Sequence, residues 1–250
     1  MIRRIHHAGV VVRRLAEAYR FYRGVLGLPL VREAEVRDQG VRAALLAAGD
    51  SEIELLEPLA ADSAVGRFLA RRGEGLHHVC FDTPDVASEL EELRAKGAEL
   101  IDLAPRPGLA GQIAFLHPRA CDGVLVEIAT PQDNASAPPS SLRMKRLVIG
   151  AEEPARTSAR FEALFGLATI PMNGGPRAML AVGRSALLIV PADEVGGTHG
   201  MVALSFVSDD FPALMEELDR ASVKALRGTG EVTVDPASSH GVHLHISRYE

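Results

Sequence analysis

The sequence predicts an α+β fold of four strand–helix–three-strand (βαβββ) modules, grouped as two domains. Three observations lead there. Residues 10–28 (VVVRRLAEAYRFYRGVLGL) align without gaps with 149–167 (IGAEEPARTSARFEALFGL), and 81–93 (FDTPDVASELEEL) with 206–218 (FVSDDFPALMEEL), so the two halves read as copies of one unit. Within the first half, the strand-like runs RIHHAGVVV at 4–12 and LHHVCFDT at 76–83 each carry a His-His pair and lead into a helix-like segment. Between the halves, PQDNASAPPSSL at 131–142 is rich in Pro, Ser and Asn and lacks apolar periodicity, which is the chemistry of a linker.

The elements follow in order. After the first strand, Leu15, Ala18, Tyr22, Val25 and Leu26 recur at helical spacing. LPLVREAEV, VRAALLAAG and SEIELLEPL then read as strands, with Asp38-Gln39-Gly40 and Gly49-Asp50 as the turns between them. In the second module, Pro84-Asp85 starts a helix, Val86, Leu90 and Leu93 form its apolar stripe, and Gly97 stops it. AELIDLA, GQIAFLHP and GVLVEIAT complete that module as strands. The same unit recurs, less regularly, in the second half. The expected domains are 1–131 and 143–250, joined by a linker at 132–142.

Composition narrows the class. A chain of 250 residues suits one large or two modest domains. Apolar residues at 47% and charged residues at 24% are those of a soluble globular protein. A net charge of -6 gives no whole-molecule attraction to nucleic acid or anionic membrane, while leaving room for a local basic groove. No apolar run approaches the ~18 residues of a membrane span, and none follows the N-terminal MIRRIHH as in a signal peptide. The expected location is cytoplasmic, with no nucleic-acid or membrane partner. Cys80 and Cys121 sit in no metal-type or disulfide-framework spacing, which agrees with a reducing compartment.

Chemistry is sought among polar residues on strands that should otherwise be buried. His7 lies in the first strand of module one and Glu54 in its last; His78 and Glu127 hold the same places in module two. A buried carboxylate is costly unless paired or bound to metal. One such His is more often a hydrogen-bonded core or rim residue, and one such Glu can face solvent. The repetition of His, Glu, His, Glu is what points to a divalent-metal centre. Imidazole suits Zn, Ni, Co and Fe, and carboxylate suits harder ions such as Mn. Four protein ligands leave open positions only on a five- or six-coordinate ion. Strand alternation sends His6 and His77 to the opposite face, as exterior or interface residues, although a one-residue slip would exchange each pair. His117 reads as a loop-rim residue and Cys80 as a packed small hydrophobe. No GxGxxG or GxxxxGK[ST] phosphate loop occurs in context, and no GxSxG nucleophile turn.

These residues resemble a known family. The βαβββ repeat with ligands on outer strands is similar to the vicinal oxygen chelate superfamily, which includes glyoxalase I, extradiol dioxygenases and methylmalonyl-CoA epimerase. ELLEPLAADSAVGRFLARRGEGLHHVCF at 54–81 and FLHPRACDGVLVEI at 115–128 resemble the epimerase specifically, and RIHHAGVVV, FYRGVLGL and DQGVR agree. The resemblance covers roughly residues 4–130. It implies metal ligands at His7, Glu54, His78 and Glu127 and a divalent ion such as Co, Ni, Mn or Zn. It also implies an isomerase whose substrate is an acyl-CoA thioester. In that reaction the metal chelates the thioester carbonyl and carboxylate, a base removes the proton between them, and an acid on the other face returns one. Some epimerases carry a Glu as one acid/base where this chain has Ala43. Glu54 and Glu127 are therefore expected to share the two roles, as in glyoxalase I.

The second half departs further. Alignment sets Arg146 against His7, Ala203 against His78, Leu187 against Glu54 and His245 against Glu127. Residues 143–250 thus read as a degenerate domain without a metal site, packed on the first in the place of a partner subunit. His240, His243 and His245 read as a polar strand face rather than a second metal site. Competing functions are a glyoxalase I-type isomerase (lactoylglutathione lyase), which shares the His-Glu-His-Glu pattern, and a non-catalytic small-molecule binding or resistance protein. Either a monomer or a homodimer is compatible with the sequence.

Overall fold

The computed structural model describes residues 1–132 and 138–249. Residues 133–137, inside the expected linker, lie outside the described residues. Two mixed sheets of eight strands each dominate the fold. The first holds β1 (Arg4–Val11), β2 (Leu30–Val36), β3 (Val41–Ala48), β4 (Ser51–Pro58), β5 (Gly75–Asp82), β6 (Arg106–Gly108), β7 (Gly111–Leu116) and β8 (Val126–Pro131). The second holds β9 (Leu142–Ala151), β10 (Ala168–Thr169), β11 (Ala178–Val182), β12 (Ser185–Pro191), β13 (Gly200–Ser208), β14 (Ala225–Gly228), β15 (Glu231–Val234) and β16 (His243–Ser247).

The strand orders are β2-β3-β4-β1-β5-β8-β7-β6 and β10-β11-β12-β9-β13-β16-β15-β14, the same topology twice. In each module the first strand runs parallel to the last and the intervening hairpins are antiparallel. The parallel pairing requires a crossover connection, and the helix after each first strand provides it. These helices are α1 (Leu15–Tyr19), which continues as a π-helix over Arg20–Val25, then α3 (Val86–Ala95), α4 (Pro154–Phe165) and α5 (Phe211–Arg220). The sequence signals hold at α3: Asp85 caps it by accepting a hydrogen bond from the Ala87 N–H at 2.9 Å, and Gly97 follows with φ +75°.

One helix was not anticipated. α2 (Ala64–Arg72) lies between β4 and β5, with the Ser63 hydroxyl oxygen capping it from the Gly66 N–H at 3.0 Å. Its residues fall inside the long segment read above only for its resemblance.

Packing divides the chain into two compact units, each taking one module from each half. The first comprises His7–His77, Ser136–Lys145 and Ala203–Glu250; its core includes the fully buried Tyr22. The second comprises Met1–His6, His78–Ala135 and Arg146–Val202. Here Phe81 of β5 meets Phe165 of α4 edge-on, ring centres 5.1 Å apart, and the Lys96 ammonium donates to the Leu164 carbonyl at 2.7 Å. No described helix is long and apolar enough to cross a membrane.

Candidate metal centre

Register decides which side chains share a face. In the parallel pair β1/β4, His7 lies beside Glu52 and Gly9 beside Glu54. Residues paired across a ladder project to the same side, and so do residues two apart on one strand. His7, Glu52 and Glu54 therefore crowd one face. His7 is fully buried and Glu54 is 6% exposed, and His7 Nε2 lies 3.4 Å from Glu54 Oε2.

The second module repeats the arrangement. Cys80 pairs with Glu127 in β5/β8, and His78 lies two residues before Cys80 on the same face. His78 and Glu127 are buried, and His78 Nε2 lies 3.2 Å from Glu127 Oε2. Each of the first two modules thus brings its expected His and Glu together as a buried pair.

The donor set fits a divalent ion. Donor atoms around an ion with bonds of ~2.1 Å stand about 3.0–3.4 Å apart along the edges of its coordination polyhedron. The two His–Glu separations match that spacing without movement. Imidazole nitrogens and carboxylate oxygens are ligands for Zn, Co, Ni and Mn alike, and two buried carboxylates gain most from a nearby cation.

The residues around the second pair were not legible from the sequence. Phe115 of β7 pairs in register with Glu127, and its ring meets the His78 imidazole edge-on at 5.4 Å. Asp102 fixes that strand: one carboxylate oxygen accepts the Phe115 N–H at 2.9 Å and the other accepts Arg106 Nε at 3.1 Å. The Arg106 guanidinium in turn lies 5.5 Å from the Phe115 ring centre. Only the aromatic in FLHP, two residues before the His117-Pro118 break, could have hinted at this. Glu52 was also missed, although Ser-Glu-Ile-Glu places two carboxylates on one face by simple alternation.

Other expected residues fall as follows. Ala43 is buried on β3 opposite Leu56, on the face shared with Glu54, and its methyl can neither give nor take a proton. His6 is not exterior: it is 3% exposed. The reason is the position of β1 inside the sheet order, where seven of its eight residues are buried and alternation no longer separates core from solvent. His77 is half-buried because α2 covers it, Phe68 meeting its ring at 4.9 Å. His117 serves its own chain, its Nδ1 accepting the Arg119 N–H at 3.2 Å as the cap of the turn Pro118–Cys121.

Cys80 packs with Ala110, Ile113, Ala129 and Phe115. Cys80 and Cys121 are both buried, and neither is in a disulfide.

In the second half, strand register sets Arg146 in the place of His7 and Ala203 in that of His78. It sets Leu188 rather than Leu187 in the place of Glu54, because Val148 of β9, the counterpart of Gly9, pairs with Leu188. The sequence alignment, which set Leu187 there, is one residue out, although the substituent remains leucine. His245 is partnered by Glu231, Nε2 to Oε2 3.2 Å. Among the described residues, no metal-type cluster includes His240, His243 or His245.

Comparison with known proteins agrees. The model of the Glyoxalase/Bleomycin resistance/Dioxygenase superfamily matches residues 6–115. Uncharacterized protein YqjC of Bacillus subtilis is 42% identical over 130 residues, 52% of this chain and 93% of that protein. The mitochondrial methylmalonyl-CoA epimerase of Mus musculus is 34% identical over 127 residues, 50% of this chain and 71% of the other. A substituted Streptomyces coelicolor methylmalonyl-CoA epimerase in complex with 2-nitronate-propionyl-CoA superposes with TM-score 0.52 and 39% identity, covering 53% of this chain and 100% of its own. A mutant 4-hydroxymandelate synthase from Streptomyces coelicolor shares the fold over 98% of this chain and 92% of its own, with TM-score 0.74 and 18% identity. The chain belongs to the glyoxalase/bleomycin resistance/dioxygenase superfamily.

Proposed function

We propose that the protein is a metal-dependent epimerase of a 2-substituted malonyl-type acyl-CoA, similar to methylmalonyl-CoA epimerase. Residues 1–131 form the metal-binding domain and 143–250 the degenerate one. The observation that carries this reading is the pair of buried His–Glu contacts, His7/Glu54 and His78/Glu127, on corresponding strands of two modules. The resemblance of half the chain to epimerases, one of them solved with an acyl-CoA ligand, supports the substrate class.

His7, Glu54, His78 and Glu127 would hold the ion. When bound, it supplies Lewis-acid stabilisation where negative charge develops on a thioester oxygen. The protein supplies the proton chemistry. Inversion needs removal from one face and delivery to the other. Glu54 and Glu127 are the two carboxylates we assign to these tasks, one as base and the other as acid. Ala43 removes one acid/base used in some relatives, which leaves both tasks to these two carboxylates. His7 and His78, fixed by their glutamates, orient the site.

Proton NMR of methylmalonyl-CoA in D₂O, with the protein and Co²⁺, tests the proposal. Metal-dependent deuterium incorporation at C2 above background, lost in His7→Ala, is the expected result. Bound metal with no exchange above background would overturn it and favour a glyoxalase I-type reaction or a binding role.

A further inference from the structure

The wall beside the His78/Glu127 pair carries a fixed cation. Pro105-Arg106-Pro107 leads into β6. A residue before proline is kept out of the helical region, so Arg106 is held extended. β6 is the last strand in its sheet order, an edge position that tolerates the N–H that Pro107 lacks. Register then fixes the face. Arg106 pairs with Ile113 across β6/β7, Phe115 lies two residues further along β7, and Phe115 pairs with Glu127 across β7/β8. Paired residues and residues two apart project to one side. Arg106 therefore stands on the face that carries Glu127 and His78.

The guanidinium is braced where it stands. Its Nε donates to Asp102 Oδ1 at 3.1 Å, and its carbon lies 5.5 Å from the Phe115 ring centre. Asp102 is itself held, because its other oxygen accepts the Phe115 N–H at 2.9 Å. The same ring meets the His78 imidazole, so one aromatic side chain separates guanidinium from imidazole. The Arg106 side chain remains 30% exposed, so a ligand can reach it.

An ion pair four residues apart could do no more than close the hairpin. Two observations point further. The hairpin is already closed by the register pairs Arg106/Ile113, Pro107/Gln112 and Gly108/Gly111, and a partly exposed ion pair adds little to stability. The surroundings also lack what an anion needs: Cys80, Ala110, Ile113 and Ala129 make the wall apolar, and Glu127 makes it acidic.

We propose that Arg106 recognises an oxyanion of the substrate, a carboxylate or a phosphate, on the wall of the site. This rests on the acyl-CoA reading above. Such a thioester is polyanionic: a malonyl-type acyl group ends in a carboxylate, and the nucleotide end of CoA carries phosphates. A planar guanidinium matches either group with two parallel hydrogen bonds and stacks on an aromatic face, which an ammonium does less well. Asp102 and Phe115 hold it in place before the ligand arrives, which reduces the ordering cost of binding. Arg106 is a specificity residue, and no proton moves through it.

Calorimetric titration of the Co²⁺-loaded chain separates the two sources, and it needs no turnover. Propionyl-CoA carries the phosphates without the carboxylate, and methylmalonyl-pantetheine carries the carboxylate without a phosphate. R106Q is expected to weaken binding of one of them by about 10–100-fold, the loss of a charge-assisted hydrogen bond, and to leave the other nearly unchanged. R106K keeps the charge without the fork and should fall between wild type and R106Q. Loss for propionyl-CoA assigns a phosphate to Arg106, and loss for methylmalonyl-pantetheine assigns the carboxylate. Wild-type affinity for both ligands in R106Q overturns the proposal. So does an equal loss for both, which is what a merely loosened hairpin would give. A wild-type chain that binds neither ligand overturns the acyl-CoA reading, and the proposal falls with it.

Discussion

His78 Nε2 lies 3.2 Å from Glu127 Oε2, the tighter of two corresponding His–Glu contacts in the first half. Removing Glu127 takes a ligand from the proposed ion. Loss of a partner that merely orients a ligand costs about 10–100-fold in metal affinity, and loss of a ligand should cost at least as much. Calorimetric titration with Co²⁺ should give one site per wild-type chain, and E127Q should bind at least about tenfold more weakly. Two sites per chain would contradict the degenerate reading of the second half.

Phe115 braces His78 edge-on at 5.4 Å, and Asp102 holds its backbone N–H. Without the ring the imidazole is freer to rotate away. F115A should weaken Co²⁺ binding about 10–100-fold, in line with other outer partners of a metal ligand. F115Y, which retains the ring, should stay near wild type. The visible spectrum of the Co²⁺ form reports the ligand geometry directly, and an unchanged spectrum and affinity in F115A would refute the bracing role.

Burial pushes the Cys121 thiol up to about 12, with Asp122 adding to the shift and Arg160 opposing it. The thiolate is the reactive form. Native protein at pH 8 should therefore react with a thiol reagent at Cys121 far more slowly than unfolded protein, as C80S would show in isolation.

Phe165 packs in the second unit against Phe81, both almost fully buried. Truncating a buried aromatic removes its transfer energy and leaves a cavity. F165A should cost about 3–5 kcal/mol in denaturant unfolding. A cost below about 1 kcal/mol would mean that the two rings are not part of one core.

Asp85 caps α3, and hydrogen bonds from the Ser88 hydroxyl and the Ala87 N–H hold its carboxyl below the usual aspartate value. Because folding depresses this pKa, the stabilisation is present above the ordinary aspartate range of about 3.9. It is lost as pH falls through the lower folded value. Asn caps a helix about as well and does not titrate. D85N should therefore flatten the acid limb of a melting-temperature profile while changing little near neutrality.

The sequence by itself determined the repeated module, the helix at Val86–Ala95 and the four polar positions on strands. These are local properties. Apolar period, capping residues and turn glycines act within a few residues of themselves, and copies of one unit can be aligned without coordinates. Tertiary structure decided the rest. His6 proved buried because β1 lies inside an eight-stranded order, which no alternation pattern reports. Leu188 rather than Leu187 faces the Glu54 position because register is a property of two strands and not of one. Phe115 reached His78 across a hairpin while Asp102 held the Phe115 N–H, and the pairing of Glu74 with His240 joins positions 166 residues apart. Such contacts depend on how elements pack, and chain proximity carries no signal for them.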